Sequence, residues 1–110
     1  FNKADKPLLV TWPCIAEAMH LIGQHSGWTR QKICLQLLKG SAFETFEIQP
    51  KDYARLIDLM EKYSDRPMDL ADASLVLVAE HTKQNKILTS DSDFFFYRIN
   101  GRESFEVIPI

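Results

Sequence analysis

The first half of the chain alternates between short apolar runs and segments with a helical period. The apolar run KPLLVTW over 6–12 is typical of a buried strand, and Pro13 directly after it suits the first turn of a helix. That helix is predicted to end near Gly23, before a turn formed by HSGW at 25–28. Two further elements complete this half: a helix over 29–40 and a strand over 43–48.

The second half contains two helical patterns that are followed by short strands. The period of residues 51–65 predicts an amphipathic helix, whose apolar face is formed by Tyr53, Leu56, Ile57 and Met60. Residues 69–85 are apolar almost all round as far as Val78, which predicts a helix that is largely buried. Short apolar runs predict strands over 86–90 and 105–110.

Strands that are separated by helices indicate an α/β fold, with a mostly parallel sheet flanked by helices in three α/β/α layers. The 110 residues are enough for one hydrophobic core and too few for two, so a single domain over 1–110 is expected.

Composition adds little to this prediction of the fold, but it argues against nucleic-acid binding that relies mainly on the protein's own positive charge. A hydrophobic content of 45% with 25% charged residues is typical of a soluble globular protein. The net charge of −2 lacks the basic excess of proteins that bind nucleic acid mainly through phosphate contacts. Cys14 and Cys34 lie in apolar helical contexts without metal-binding spacing, which indicates free, buried thiols in a reducing compartment, the cytoplasm.

Carboxylates lie where the most apolar segments begin and end. Asp69 and Asp72 open the last helix, Asp91 and Asp93 follow the strand after it, and Glu17 lies on the helix after the first strand. Functional sites of open α/β sheets lie beyond the carboxyl ends of the strands, and these acids are all predicted near that rim. Carboxylates so placed would repel one another unless a cation joined them, and their hard oxygen atoms suit Mg²⁺ or Mn²⁺.

Each acid also has a purely structural interpretation. Asp69 with Asp72 is typical of a helix cap, which would stabilise the helix by about 1 kcal/mol without any function. Asp91 after a threonine is typical of a turn, and Glu17 is a polar residue on an amphipathic helix. The placement of all three groups at one predicted rim favours the metal site.

Three segments of the chain resemble a known family. LLVTWPCIAEAMHLIG at 8–23, MDLADASLVLVAE at 68–80 and ILTSDSDF at 87–94 are similar to the signature segments of the PIN domain, in particular of the VapC-like ribonucleases of bacterial toxin–antitoxin pairs. The resemblance implies a parallel-sheet α/β fold, metal-dependent cleavage of RNA, a homodimer and, for a toxin, a cognate antitoxin protein.

The resemblance also implies roles for individual residues. It matches Glu17, Asp72 and Asp91 to catalytic, metal-binding acids, and Asp69 and Asp93 to accessory acidic positions. It also implies that Thr89 or Ser90 contributes a hydroxyl group to this site. In such a site the ion, rather than a separate general base, activates the attacking water.

One part of the family pattern has no match in this chain. The first strand of a PIN domain carries a metal-binding aspartate, whereas the acid before the first strand here is Asp5, in a segment typical of a helix end and a turn. The domain is therefore expected to be N-terminally incomplete, either because a segment precedes Phe1 or because the chain lacks it. Two functions follow: a metal-dependent endoribonuclease, or a PIN-like binding module that assembles with protein or RNA without cleaving.

Contacts to RNA are less well marked in the sequence. Two interpretations are open for the scattered basic residues, which can guide RNA or lie on the solvated surface where single basic residues are usually found: Arg30, Lys32, Arg98 and Arg102. The aromatic run FFFY at 94–97 allows two interpretations, since it can stack on RNA bases or belong to the core or a dimer contact.

Overall fold

The computed structural model describes residues 7–89 and 91–108. The chain divides into two compact units, Phe1–Ile48 and Gln49–Ile110, called unit 1 and unit 2 below. Among the described residues, no helix has the length and apolar character needed to cross a membrane.

Unit 1 is built on one pair of parallel strands. β1 (Leu8–Thr11) pairs with β2 (Phe43–Phe46), and the register runs from Leu8 opposite Phe43 to Thr11 opposite Phe46. The connection is α1 (Trp12–Lys39), as a parallel pair requires a long crossover. β2 ends two residues earlier than the predicted strand over 43–48.

The long helix α1 confirms the predicted start and the predicted break. Thr11 caps its N-terminus by accepting a hydrogen bond from the Cys14 N–H at 3.4 Å, and Pro13 occupies the first turn. Gly27 interrupts the helix with φ 74° and ψ −169°. This residue lies in the HSGW turn, where the absence of a Cβ makes a positive φ tolerable.

Unit 2 contains two helices and two further strand pairs. β3 and β6 are parallel, with Ile87 opposite Val107, and β4 and β5 form a short antiparallel ribbon. Its elements in chain order are a 3₁₀ turn (Pro50–Asp52), α2 (Tyr53–Lys62), α3 (Leu70–Thr82), β3 (Lys86–Leu88), a 3₁₀ turn (Ser92–Phe95), β4 (Arg98–Ile99), β5 (Glu103–Ser104) and β6 (Glu106–Ile108). The 3₁₀ turns and the ribbon were absent from the sequence-based prediction. The two parallel strand pairs, the first of them joined by α1, together with α2 and α3, confirm the α/β class.

Helix α3 is buried as its apolar sequence predicts, but the face of α2 differs from the prediction. The buried side chains of α3 include Val76, Leu77 and Val78. On α2, Leu56 and Leu59 are the buried residues. Tyr53 and Ile57, which were predicted to lie on the apolar face, are exposed. The spacing of three and four is therefore present, but the buried stripe is rotated toward Leu59.

Charged side chains hold the two helices of unit 2 together. Arg55 of α2 donates two hydrogen bonds to the Glu80 carboxylate of α3, at 2.8 and 2.7 Å. Asp52 lies 3.0 Å from the His81 ring nitrogen. The Asp52 carboxylate also accepts the Gln49 N–H, and this bond holds its pKa below the usual range, with help from His81 and against the effect of burial.

Candidate active site

The start of α3 places two carboxylates side by side. The Asp69 side chain accepts a hydrogen bond from the Asp72 N–H at 2.8 Å, and the Asp72 side chain accepts one from the Asp69 N–H at 3.2 Å. This reciprocal capping box satisfies two of the backbone donors that every helix start leaves open. The capping interpretation of the pair is therefore correct. Because a carboxylate accepts up to about four hydrogen bonds or metal contacts, the cap leaves room for a ligand.

The loop after β3 brings two more carboxylates into a tight turn. The Thr89 hydroxyl accepts the Asp91 N–H at 3.0 Å, and the Asp91 carboxylate accepts the Asp93 N–H at 2.9 Å. The hydroxyl of Thr89 thus fixes the position of Asp91. Ser90, the other predicted hydroxyl contributor, lies outside the described residues.

Electrostatic effects connect these two segments. The pKa of Asp72 is raised to about 7, chiefly by burial and in addition by the negative charges of Asp69 and Asp91, against the lowering effect of the backbone hydrogen bond from Asp69. Burial also raises the pKa of the Tyr97 phenol, and all four aspartates add to that shift. Asp69, Asp72, Asp91 and Asp93 therefore all lie within electrostatic range of one phenol, and they are called the aspartate cluster below.

Tyr97 is the most unusual member of this neighbourhood. Its side chain is fully buried, and its hydroxyl has no hydrogen-bond partner among the described residues. The ring packs edge-on against Tyr63 and Phe94, with centroids 4.9 and 5.0 Å away. The aspartate cluster therefore borders a rigid aromatic core, where the low dielectric strengthens the repulsion between carboxylates.

Arg66 supplies a positive charge at the edge of the cluster. Its guanidinium lies 3.7 Å from the Asp93 carboxylate and stacks over the Phe96 ring, with the guanidinium carbon 3.5 Å from the ring centroid. Sequence reasoning did not identify Arg66, because an arginine in a turn between two helices carries no local signal of a partner so far along the chain.

Glu17 lies in a different part of the chain from these aspartates. It is exposed on α1 of unit 1, whereas the aspartate cluster belongs to unit 2. That Glu17 shares a metal site with Asp72 and Asp91 stays a prediction. Asp5, the acid before the first strand, lies outside the described residues.

The cluster fits a divalent cation in the type of ligand that it offers. Carboxylate oxygens are the preferred protein ligands of Mg²⁺ and Mn²⁺, and a cation would relieve the repulsion that adds to the effect of burial on the pKa of Asp72. Within 7–89 and 91–108, no three histidine, cysteine, aspartate or glutamate side chains converge closely enough to hold an ion. The aspartates are thus neighbours in this conformation without being drawn around one point.

Comparison with known families decides the ancestry of the chain. The PIN domain family matches residues 2–101, which include every element from β1 to β4. The chain belongs to the PIN domain family. Ribonuclease VapC26 of Mycobacterium tuberculosis (strain ATCC 25618 / H37Rv) is similar to it, with 29% identity over 103 residues, 93% of this chain and 76% of that protein.

The PIN assignment confirms the family and fold that the three signature segments predicted. Of the motif acids, Asp72 lies at the start of α3 and Asp91 lies after the end of β3, and the charge of Asp91 acts on the pKa of Asp72. The catalytic roles of these residues, and of Glu17, Asp69 and Asp93, stay predictions. The Tyr97 phenol and the Arg66 guanidinium are the members of the neighbourhood that sequence reasoning missed.

Proposed function

We propose that this PIN domain is a metal-dependent endoribonuclease and the toxin of a toxin–antitoxin pair. The observation that carries the proposal is the aspartate cluster, in which burial, together with the charges of Asp69 and Asp91, raises the pKa of Asp72 to about 7. The similarity to a protein named ribonuclease VapC26 supports RNA as the substrate. A cognate antitoxin protein, a homodimer and a cytoplasmic location belong to the same proposal.

The proposed ligands of the ion, Mg²⁺ or Mn²⁺, are Asp72, Asp91 and Glu17, with Asp69 and Asp93 in supporting positions. When bound, a divalent cation at carboxylates lowers the pKa of water and stabilises charge on a leaving oxygen, which is the chemistry of phosphodiester hydrolysis. The role of Glu17 rests on its place in the sequence motif. The roles of Asp72 and Asp91 rest also on their mutual proximity.

The hydrogen bonds of the cluster hold its carboxylates in position. The capping box fixes Asp72 against the backbone of Asp69, and the turn after Thr89 fixes Asp91. Preorganised ligands lose little side-chain entropy when an ion binds. Because the pKa of Asp72 is about 7, a proton competes with the cation below that pH.

A cation also explains how a chain with a net charge of −2 engages a polyanion. Carboxylates repel phosphate groups, and a divalent ion between them attracts both. We therefore expect RNA cleavage to depend on Mn²⁺ or Mg²⁺ and to stop when a chelator is added.

The substitution Asp72→Asn tests the proposal. It preserves the size of the side chain and its capping oxygen but removes the charge that the cation requires. We expect the wild-type protein to cleave labelled single-stranded RNA in Mn²⁺ and Asp72→Asn to leave it intact, with unchanged circular dichroism. Asp58→Asn, an equivalent change at an exposed position of α2, is the matched control and should cleave normally.

Cleavage by Asp72→Asn at the wild-type rate would contradict the assignment of the site. A wild-type protein that binds RNA but cleaves none in any divalent cation would instead identify a binding module.

Light scattering of the purified protein tests the homodimer, because it measures the molar mass of the protein in solution.

A further inference from the structure

The turn that follows the aspartate cluster divides its four aromatic residues into two pairs. Phe94 and Tyr97 are buried, with 1% and 0% of their surface exposed, whereas Phe95 and Phe96 are 63% and 51% exposed. The 3₁₀ geometry of Ser92–Phe95 produces this division, since successive side chains of a tight helix point in different directions. The FFFY run is thus both core and surface.

The buried pair makes the exposed pair rigid. Phe94 packs edge-on against Phe105 at 5.4 Å as well as against Tyr97, and the Phe96 N–H donates to the Asp93 carbonyl at 2.9 Å. The exposed rings are therefore displayed on a fixed base. Two adjacent exposed phenylalanines leave much apolar surface in contact with water, and exposed apolar surface of this kind is typical of a binding site.

Two guanidinium groups accompany the exposed rings. Arg66 stacks on Phe96 and approaches Asp93, as described above. Arg98 donates hydrogen bonds from one guanidinium nitrogen to the carbonyls of Phe95 and Tyr97, at 2.9 and 3.1 Å. Arg66, Phe95, Phe96 and Arg98 are called the Arg–Phe platform below.

This combination matches the chemistry of a nucleotide. An exposed aromatic face stacks on a base, and a guanidinium pairs with a phosphate through parallel hydrogen bonds. The platform places both groups beside Asp93, at the edge of the cluster where the proposed cleavage occurs. The two guanidinium groups beside the rings favour a partner that carries negative charge, as the phosphate groups of a nucleotide do.

We infer that the Arg–Phe platform binds the nucleotide next to the cleaved phosphodiester of single-stranded RNA. The inference rests on the proposed ribonuclease function and adds the form of the substrate. Single-stranded RNA is required because the bases of a duplex already stack on one another and cannot reach the Phe95 ring. Arg66 pairs with the phosphate, while Phe96 holds the guanidinium in place.

Binding is measured first, separately from cleavage. The Asp72→Asn protein is titrated into fluorescein-labelled single-stranded RNA, and fluorescence anisotropy is recorded at several salt concentrations. In this background, Phe95→Leu should weaken binding about tenfold, since it keeps apolar bulk but removes the stacking face. Arg66→Gln should weaken binding and reduce the slope of log K against log salt by about 0.7, the value for one phosphate contact on a single strand.

Matched controls use the same changes elsewhere in unit 2. Tyr53→Leu removes an exposed ring from α2, and Arg102→Gln removes an exposed guanidinium from the β4–β5 turn. Both should bind RNA as the parent does. In the protein with Asp72 intact, Phe95→Leu should raise KM and change kcat little, because a contact made equally in ground state and transition state affects only binding.

The outcomes separate the inference from the proposed function. If the wild-type protein cleaves RNA and the Phe95 and Arg66 variants bind it as tightly as their parent, the inference is wrong and the ribonuclease assignment stands. If these variants keep RNA affinity but lose self-association, the surface is a protein contact and the inference is likewise wrong. If the wild-type protein neither binds nor cleaves RNA, both proposals fail.

Discussion

Tyr97 shows how a single polar atom is affected by its surroundings. Its hydroxyl is buried, is unpaired among the described residues, and lies near four carboxylates. A buried hydroxyl without a partner destabilises a protein by about 1–3 kcal/mol relative to one that is hydrogen-bonded. The nearby charges keep the phenol protonated, since they raise its pKa further.

The change Tyr97→Phe tests this description. It removes the unpaired hydroxyl and keeps the ring contacts, so we expect the free energy of unfolding to stay the same or to rise by up to about 1 kcal/mol. Tyr63→Phe is the contrasting variant, because the Tyr63 hydroxyl accepts the Arg98 N–H at 3.0 Å. Its unfolding free energy should fall by about 1 kcal/mol in urea denaturation. A larger loss in Tyr97→Phe than in Tyr63→Phe would mean that the Tyr97 hydroxyl is hydrogen-bonded in solution.

At the scale of elements, Glu80 connects three parts of unit 2. Its carboxylate receives two hydrogen bonds from Arg55 of α2 and one from the Asn100 N–H at 2.7 Å, in the turn between β4 and β5. Although burial acts to raise it, the pKa of Glu80 is lowered by these donors. The stability that this carboxylate contributes is therefore present above its unfolded pKa and lost as the pH falls through the lower folded value.

Glu80→Gln should weaken the attachment of α2 to α3. The amide keeps the shape of the side chain, but it accepts fewer hydrogen bonds and leaves the Arg55 charge without its partner. We expect the free energy of unfolding at pH 7 to fall by about 1.5–3 kcal/mol, the range for hydrogen bonds to charged groups. Glu61→Gln, at an exposed position of α2, should change it little. Equal stability of the two variants would show that the Arg55–Glu80 pair contributes nothing.

At the scale of the whole molecule, the protonation of Asp72 in the aspartate cluster makes the stability of the fold depend on pH and on cations. The folded pKa of Asp72 is about 7, and its ordinary value is 3.8. The folded state therefore holds this proton more tightly than the unfolded state. Stability from this group is complete below about pH 4 and is lost as the pH rises to about 7.

Thermal melts at pH 5.5 and pH 8, with and without Mn²⁺, test this coupling. Without metal, Asp72→Asn should be more stable than the wild-type protein at pH 8, by roughly 1 kcal/mol after allowing for solvent screening of a half-buried carboxyl. The difference should shrink at pH 5.5. Mn²⁺ at pH 8 should raise the melting temperature of the wild-type protein, since it binds the folded state, and should raise that of Asp72→Asn less. An equal response of both proteins to Mn²⁺ would place the ion elsewhere.

The sequence by itself determined the features that depend on local interactions. The period of apolar residues was sufficient to locate α1, α2 and α3. The break at Gly27 and the Asp69–Asp72 cap could be predicted because each depends on residues within a few positions of one another. The family could be recognised because its signature acids have fixed spacings from these local elements. The parallel pairing of β1 with β2 was predictable for the same reason, since a helix that separates two strands favours a parallel crossover.

Tertiary structure decided the features that depend on distant residues. The buried stripe of α2 includes Leu59 rather than Ile57, because packing selects one face of a helix whose apolar residues lie on more than one side. Three further features each require groups more than ten residues apart to meet. They are the burial of Phe94 and Tyr97, the stacking of Arg66 on Phe96 and the raised pKa of Asp72. Local pattern carries no information about such contacts, since their energies arise only when the chain has folded.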